Sequence, residues 1–146
     1  MFRGSYEHII DSKGRVSFPA RFREVFPADD GRLVITNYKP SHLWVFMYED
    51  WIQLEKKLAV FPLTDPTTRR FKHFFVSGAH DVTIDKLGRI LIPPHLREYA
   101  QLNKEVIFVG SITHIELWNK ANWEPNFEAS ESDFENVAKK LADLGF

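Results

Sequence analysis

The sequence predicts a strand-rich α+β protein in which two tandem repeats form one pseudo-symmetric unit with short helices. Three observations predict this fold: the chain matches itself at a fixed shift, short apolar segments recur in each half, and the composition suits a packed core. Of the 146 residues, 44% are hydrophobic and 27% are charged, which is typical of folded proteins. A lone repeat of about 50 residues is only marginally stable, so the two repeats are expected to pack together.

The repeat is clearest when the chain is shifted by 74 positions. The segment from His8 to Glu24 then aligns with the segment from Val82 to Glu98, and 7 of the 17 aligned pairs are identical. Ordinary residue frequencies give about one identical pair by chance. A weaker match at a shift of 72 places His42 to Phe46 on His114 to Trp118. The chain therefore consists of two copies of one unit.

Each repeat is expected to begin with a β-hairpin. In the first repeat, strands over Tyr6 to Ile10 and Arg15 to Phe18 flank a turn over Asp11 to Gly14. Apolar and polar residues alternate on both sides of the turn, as expected for strands with one buried face.

Four residues are predicted to brace the two turns. Asp11 can accept hydrogen bonds from the backbone amides of the first turn, and Gly14 adopts the positive φ that a Cβ atom disfavours. Asp85 and Gly88 hold the matching positions in the second repeat. The same turn is therefore expected twice.

A short helix and two more strands are expected after each hairpin. Pro19 and Pro93 suit the first turn of a helix, where the missing N–H has no partner to lose. They predict helices over Ala20 to Val25 and Pro94 to Ala100. The further strands are predicted over Leu33 to Thr36, Leu43 to Phe46, Val106 to Val109 and Ile115 to Trp118.

Three helices are expected outside these elements. Apolar residues recur at loosely helical spacing over Glu49 to Val60, and a second helix is predicted over Pro66 to Ser77, with Gly78 as its stop. In the tail, Ser132 to Glu135 resembles a capping box and precedes an apolar stripe. The chain is accordingly divided into a first domain at 5–52, a helical connector at 53–80, a second domain at 81–124 and an acidic helical tail at 125–146.

Signatures of catalysis and of cofactor binding are missing from the sequence. The chain has no Cys, which removes disulfides, thiolate zinc sites and cysteine nucleophiles. Its glycines form neither a phosphate-binding loop nor a nucleophile elbow. The adjacent residues His80 and Asp81 would point to opposite faces of a strand, so they are a poor acid–base pair. We expect no enzymatic activity, no cofactor and no metal site.

Targeting and membrane signals are also missing, because no stretch approaches the roughly 18 apolar residues of a membrane helix. We therefore expect a cytoplasmic protein without a membrane partner.

Two His residues and two Trp residues recur in both repeats. His42 and His114 each stand at the start of a strand, and the favoured interpretation is that they fix turns through backbone hydrogen bonds. Trp51 and Trp123 are interpreted as core residues. Ligand binding by the two His residues and base stacking by the two Trp residues are the weaker alternatives.

The strongest candidate site is a D-x-x-x-R pattern, present from Asp11 to Arg15 and again from Asp85 to Arg89. One interpretation is a surface ion pair across each turn. The other, which the duplication favours, is a two-stranded ribbon whose arginines contact guanine or phosphate in a DNA major groove. Additional cations lie close to each turn in the sequence and are assigned to the turn of their own repeat. They are Lys13, Arg21 and Arg23 at the first turn, and Lys86 and Arg97 at the second.

The net charge of −1 hides an uneven distribution of charge along the chain. Residues 1–97 hold 15 Lys or Arg against 11 Asp or Glu, whereas residues 98–146 hold 4 against 9. A basic face can therefore form in spite of the acidic total.

The segments Met1 to His8, Asp11 to Val16 and Pro19 to Arg23 closely resemble the start of the bacterial MraZ family, and Asp85 to Arg89 with Pro93 resembles its second repeat. The resemblance covers the whole chain. It implies two tandem SpoVT-AbrB domains of the swapped-hairpin type. It also implies a DNA-binding transcriptional regulator of the division and cell-wall gene cluster, associated with the nucleoid and assembled into homo-oligomeric rings.

The resemblance also implies roles for individual residues. Arg15 and Arg89 match the signature arginines of the family, and Arg3, Lys13 and Lys86 would be supporting DNA contacts. The second repeat departs from the first, with Leu87 in place of Lys13 and Pro94-His95 in place of Ala20-Arg21. The two turns are therefore expected to contact DNA unequally.

A ring of subunits would bind short direct repeats spaced by about one helical turn, ~10 bp. The acidic tail is expected to stay away from DNA and to pack on a neighbouring subunit. The competing hypothesis is a protein-interaction module, such as an antitoxin-like scaffold, that binds its partner through the apolar tail.

Overall fold

The computed structural model describes residues 1–27 and 30–146, and it confirms a strand-rich α+β fold. Within these residues, pairs of strands alternate with short helices. The strands are β1 Ser5–Ile9, β2 Arg15–Ser17, β3 Arg32–Tyr38, β4 His42–Met47, β5 His80–Thr83, β6 Arg89–Leu91, β7 Glu105–Gly110 and β8 Ile115–Asn119. The helices are α1 Ala20–Arg23, α2 Tyr48–Ala59, α3 Pro66–Phe71, α4 Pro94–Ala100, α5 Lys120–Ser132 and α6 Phe134–Asp143, with a π-helical turn at Lys72–Val76 directly after α3.

The strands form one six-stranded antiparallel sheet and one separate two-stranded ribbon. The order in the sheet is β1-β7-β8-β4-β3-β5, and the ribbon pairs β2 with β6. The first strand of each repeat thus pairs with the third strand of the other repeat, and the two fourth strands meet at the centre of the sheet. This exchange confirms the pseudo-symmetric, swapped arrangement that the family resemblance implies.

The expected hairpins within each repeat are wrong in their strand pairing. The tight turn does form, because the N–H of Asp11 donates to the carbonyl of Arg15 at 2.9 Å. Beyond it the strands separate: β1 joins the large sheet, and β2 pairs with β6, with Arg15 opposite Leu91. The exchange places Val16 and Ile90, each about 1% exposed, in the core shared by both repeats. Alternation predicts which residues face a core but carries no information about the partner strand.

The large sheet separates two groups of buried side chains. The main core lies between the sheet and a layer formed by the ribbon, α1 and α4; it includes Phe18, Leu96 and Phe108. A smaller cluster on the opposite face contains Val34, Phe46, Trp51 and Phe75. Trp51 is therefore a core residue, as predicted, whereas Trp123 is only half-buried and belongs to neither cluster. The ribbon lies on the face of the sheet opposite to α2 and the π-helical turn.

Several helices differ from the expected ones. Helix α1 ends at Arg23, two residues before the predicted end, whereas α4 has the predicted bounds. The tail forms two helices where one was expected, and α5 was missed because Pro125 lies inside it and argues against a helix. Packing of Trp123 on Trp118, with ring centroids 5.6 Å apart, anchors α5 against the sheet.

The predicted capping box at the start of α6 does not form. Asp133 is the N-cap residue and makes no side-chain bond to a helix amide. Its Oδ1 instead accepts a hydrogen bond from Nδ2 of Asn136 at 3.1 Å.

Within residues 1–27 and 30–146, no helix has both the length and the apolar content needed to cross a bilayer.

Candidate nucleic-acid interface

The carboxylate of Asp11 organises the first turn with both of its oxygens. Oδ1 accepts hydrogen bonds from the backbone N–H groups of Lys13 and Arg15, each at 2.9 Å. Oδ2 accepts from Nε of Arg15 at 2.9 Å. Gly14 has φ 89°, in the left-handed region that favours glycine. The turn and its arginine are thus held by the same carboxylate.

The second turn repeats this geometry. Oδ1 of Asp85 accepts from the backbone N–H groups of Leu87 at 2.8 Å and Arg89 at 2.9 Å, and Oδ2 accepts from Nε of Arg89 at 3.2 Å. Gly88 has φ 76°. The two turns therefore place their arginines by the same set of bonds.

The ribbon places Arg15 and Arg89 on one face. In the antiparallel pairing of β2 with β6, Arg15 lies opposite Leu91 and Ser17 lies opposite Arg89. Because side chains alternate along a strand, the buried Ile90 and its partner point into the core and these four residues point outward. Arg15 and Arg89 are diagonal neighbours, a relation that sets them about 7–8 Å apart. Both arginines can reach one ligand.

Both arginines remain accessible although each is ion-paired. The side chains of Arg15 and Arg89 are 38% and 33% exposed. Each ion pair uses Nε, and within the described residues the terminal guanidinium nitrogens of both side chains make no hydrogen bond. The terminal nitrogens can therefore donate to an external acceptor while Nε stays on the aspartate.

The two aspartates are held in the charged form. The backbone N–H of Arg15 is the largest cause that lowers the pKa of Asp11, and its guanidinium lowers it further. The backbone N–H of Arg89 likewise lowers the pKa of Asp85. Each carboxylate therefore stays ionised at neutral pH and keeps its arginine in place.

The remaining predicted contact residues are distributed unevenly. Lys13 and Lys86 are exposed on the first and second turn, at the two ends of the ribbon. Arg3 is exposed at the other end of β1 from the first turn. The five residues of β1 separate Arg3 from that turn, and at ~3.3 Å per residue the strand spans about 13 Å. The structure therefore brings the two lysines to the ribbon but not Arg3.

Two arginines lie at the turn opposite to the one to which their sequence position assigned them. The guanidinium of Arg97 covers Gly14 in the first turn, and that of Arg23 covers Gly88 in the second. The assignment of Arg23 to the first turn and Arg97 to the second is therefore wrong. The exchange of strands between the repeats is the physical reason, and the swapped-hairpin resemblance was the signal that could have revealed it.

The two recurring His residues differ in their contacts. Nδ1 of His42 lies 2.5 Å from the carbonyl of Pro40, which supports the predicted role in fixing a turn. Nδ1 of His114 instead contacts the hydroxyl of Thr113 at 3.1 Å, so within the described residues the imidazole of His114 makes no hydrogen bond to the backbone. Burial lowers the pKa of both imidazoles. They lie on the sheet, away from the ribbon face.

Two successive segments of the chain, residues 1–74 and 75–144, match the family model described as "MraZ protein, putative antitoxin-like". The chain belongs to the MraZ family. The D-x-x-x-R turns of this MraZ-family chain occur once in each matched segment.

Full-length relatives support the assignment to the MraZ family. The chain is 44% identical over 141 residues to a protein of Caldanaerobacter subterraneus subsp. tengcongensis, covering 97% of this chain and 96% of the relative. It is 44% identical over 144 residues to a protein of Thermoanaerobacter sp. (strain X514), covering 99% of each. A protein of Clostridium tetani is 39% identical over 145 residues, again with 99% of each chain covered. All three relatives are named "Transcriptional regulator MraZ".

Proposed function

We propose that this MraZ-family protein is a sequence-specific, DNA-binding transcriptional regulator that acts by binding and not by catalysis. The name shared by its relatives supports transcriptional regulation. The observation that carries DNA binding is the placement of Arg15 and Arg89 side by side on the outward face of the ribbon. A two-stranded ribbon fits the major groove, which is about 12 Å wide.

The contacts divide into those that identify bases and those that hold the backbone. Arg15 and Arg89 donate their terminal guanidinium nitrogens to guanine O6 and N7 or to phosphate. Lys13 and Lys86 neutralise phosphates beside the groove, because flexible ammonium groups contact charge without identifying bases. Arg3 would reach DNA only away from the ribbon, so its contribution is the smallest.

The protein acts as a homo-oligomeric ring that binds short direct repeats in the promoter of the division and cell-wall gene cluster. It is cytoplasmic and associated with the nucleoid. A single ribbon offers few cations, and several ribbons in one particle raise the effective concentration of each further contact. The exposed apolar side chains of α6 support association between subunits. The division into domains at 5–52 and 81–124, a connector at 53–80 and a tail at 125–146 is part of the same proposal.

A protein-interaction module is the second candidate function. The antitoxin-like description of the family model and the exposed apolar face of α6 favour it. Binding of this kind buries apolar surface and depends little on salt, whereas DNA binding weakens steeply as salt rises. Deletion of residues 126–146 would abolish the interaction with a protein partner but leave the ribbon intact.

The decisive experiment measures binding to a duplex of the promoter upstream of its own gene cluster at two salt concentrations. Arg15→Ala and Arg89→Ala should each lower affinity by on the order of 10-fold or more and reduce the salt dependence by about one phosphate equivalent where the side chain contacts a phosphate. Arg70→Ala is the matched control, because Arg70 is exposed on α3, directly before the π-helical turn that packs on the other face of the sheet. Unchanged affinity and salt dependence in both ribbon variants would reject the assigned site.

A further inference from the structure

Each turn of the ribbon is covered by an arginine from the other repeat. A Cβ atom built on Gly14 would lie 2.5 Å from Nε of Arg97 and 2.6 Å from its Cζ. A Cβ atom built on Gly88 would lie 2.5 Å from Nη1 of Arg23. Both glycines are buried although the neighbouring turn residues are exposed. Glycine at these positions therefore permits the close approach of a guanidinium as well as the positive φ.

Backbone hydrogen bonds from the other repeat also hold each of these two glycines. The N–H of Ile92 donates to the carbonyl of Gly14, and the N–H of Phe18 donates to the carbonyl of Gly88, each at 2.8 Å. Nε of Arg97 in turn donates to the carbonyl of Ile92 at 3.1 Å. The guanidinium of Arg97 is thus positioned by Ile92, the residue directly after β6 that also holds the first turn.

The charge at each turn is unbalanced. The first turn carries Lys13 and Arg15 and is covered at Gly14 by Arg97, but its carboxylate, Asp11, is already engaged by Arg15. In the part of the chain that the structure describes, Arg97 and its counterpart Arg23 make no salt bridge. Guanidinium groups brought together without a matching anion form a site suited to an external one.

We propose that Arg97 together with Arg15, and Arg23 together with Arg89, form two composite phosphate-binding sites, one at each end of the ribbon. Each site combines a turn of one repeat with a helix residue of the other. The inference rests on the proposed DNA binding and deepens it, since the phosphates would be those that flank the bases contacted by the ribbon. Arg97 keeps Nε on the carbonyl of Ile92 and donates its terminal nitrogens to phosphate oxygens.

The proposal predicts a crossed pattern of coupling. Residues that share one ligand or one network give non-additive effects, whereas separate sites add. Arg15→Ala combined with Arg97→Ala should therefore be non-additive, although the two residues belong to different repeats. Arg15→Ala combined with Arg23→Ala, both in the first repeat, should be additive. A site organised within each repeat predicts the reverse pattern.

The test measures affinity for the promoter duplex and for a scrambled duplex across a series of salt concentrations. Arg97→Ala should weaken binding on the order of 10-fold and lower the salt slope by about one, equally for both duplexes, because phosphate contacts carry no sequence information. Arg97→Lys should keep the wild-type salt slope, because it keeps the charge. Arg97→Gln should lower the slope as Arg97→Ala does. Arg70→Ala is again the matched control, since Arg70 is exposed on α3 and covers neither glycine.

The outcomes separate this inference from the proposed function. An unchanged salt slope in Arg97→Ala and Arg23→Ala, while Arg15→Ala still weakens binding, overturns the composite sites and leaves the ribbon assignment intact. No loss of binding in either Arg15→Ala or Arg89→Ala overturns the proposed function itself. Thermal unfolding of each variant identifies folding defects, and Arg97→Gln retains a polar side chain over Gly14 if Arg97→Ala does not fold.

Discussion

At the scale of single residues, the ion pair and the proposed DNA contact are two uses of the same side chain. Oδ1 of Asp11 holds the backbone of the turn, and Oδ2 holds Nε of Arg15. The terminal nitrogens of that guanidinium are left for another acceptor. Preorganisation of this kind reduces the side-chain entropy that binding would otherwise cost. The aspartate thus places the arginine without neutralising its donors.

The lowered pKa of Asp85 predicts how the second turn responds to acid. A carboxyl group with a pKa lower in the folded than in the unfolded state adds stability above its unfolded pKa of about 4. That stability is lost as the pH falls through the lowered, folded-state pKa. Thermal unfolding of the wild type and of Asp85→Asn should therefore differ most above pH 4 and converge in stronger acid.

The buried imidazole of His42 also makes the stability depend on pH in the acid range, but it does so equally in the wild type and in Asp85→Asn. Burial lowers the pKa of His42, so its stabilising contribution is already declining below about pH 6.5 in both proteins. The difference between wild type and variant isolates the carboxylate. A difference that stays constant from pH 7 down to strong acid would contradict the assigned role of Asp85.

At the scale of elements, the ribbon of β2 and β6 decides the geometry of the proposed interface. Two paired strands of three residues each are not stable on their own. They are held because Val16 and Ile90 lie in the main core and because each turn is bonded to the other repeat. The outward face is therefore rigid only when both repeats are folded and packed.

The inward face of the ribbon can be tested separately from its outward face. Ile90→Ala should destabilise the protein by about 2–4 kcal/mol, because it leaves a cavity beneath the ribbon. Leu91→Ala is the matched control on the same strand, since Leu91 is 55% exposed and should change the stability by less than about 0.5 kcal/mol. Denaturant unfolding measures both effects. Equal loss of stability in the two variants would contradict the inward placement of Ile90.

At the scale of the whole molecule, the net charge of −1 is the sum of a basic part, which contains the ribbon, and an acidic part, which contains the tail. Helix α6 is exposed almost throughout, and its main packing contact within the described residues is with α5. Its apolar stripe is largely exposed, with Phe134 66% and Leu144 83% exposed. A stripe of this kind is stabilised by association with another molecule.

Assembly should therefore depend on the apolar face of α6. Leu141→Asp should lower the mass of the native particle, because it places a charge in the stripe that we assign to contact between subunits. Lys139→Asp is the matched control on the polar side of the same helix. Native mass spectrometry or light scattering measures the particle, and promoter affinity should fall with its size. An unchanged particle mass in Leu141→Asp would exclude α6 from the subunit contact.

The sequence by itself determined the repeat, the type of most elements and the chemistry of the two turns. These features depend on residues close together in the chain: an aspartate reaches amides two and four positions away, and a glycine permits a local positive φ. For the same reason the bounds of α4 could be predicted from Pro93 and the residues that follow it. Local chemistry left the partner of each strand open.

Only the tertiary structure decided which repeat completes which turn. The pairing of β2 with β6 and the positions of Arg23 and Arg97 depend on contacts between residues more than 60 positions apart. Such contacts are selected by burial of a shared core, which an alternating pattern satisfies equally well with either partner. The exposed stripe of α6 follows the same logic, because amphipathic spacing predicts an apolar face but not whether its own chain covers it.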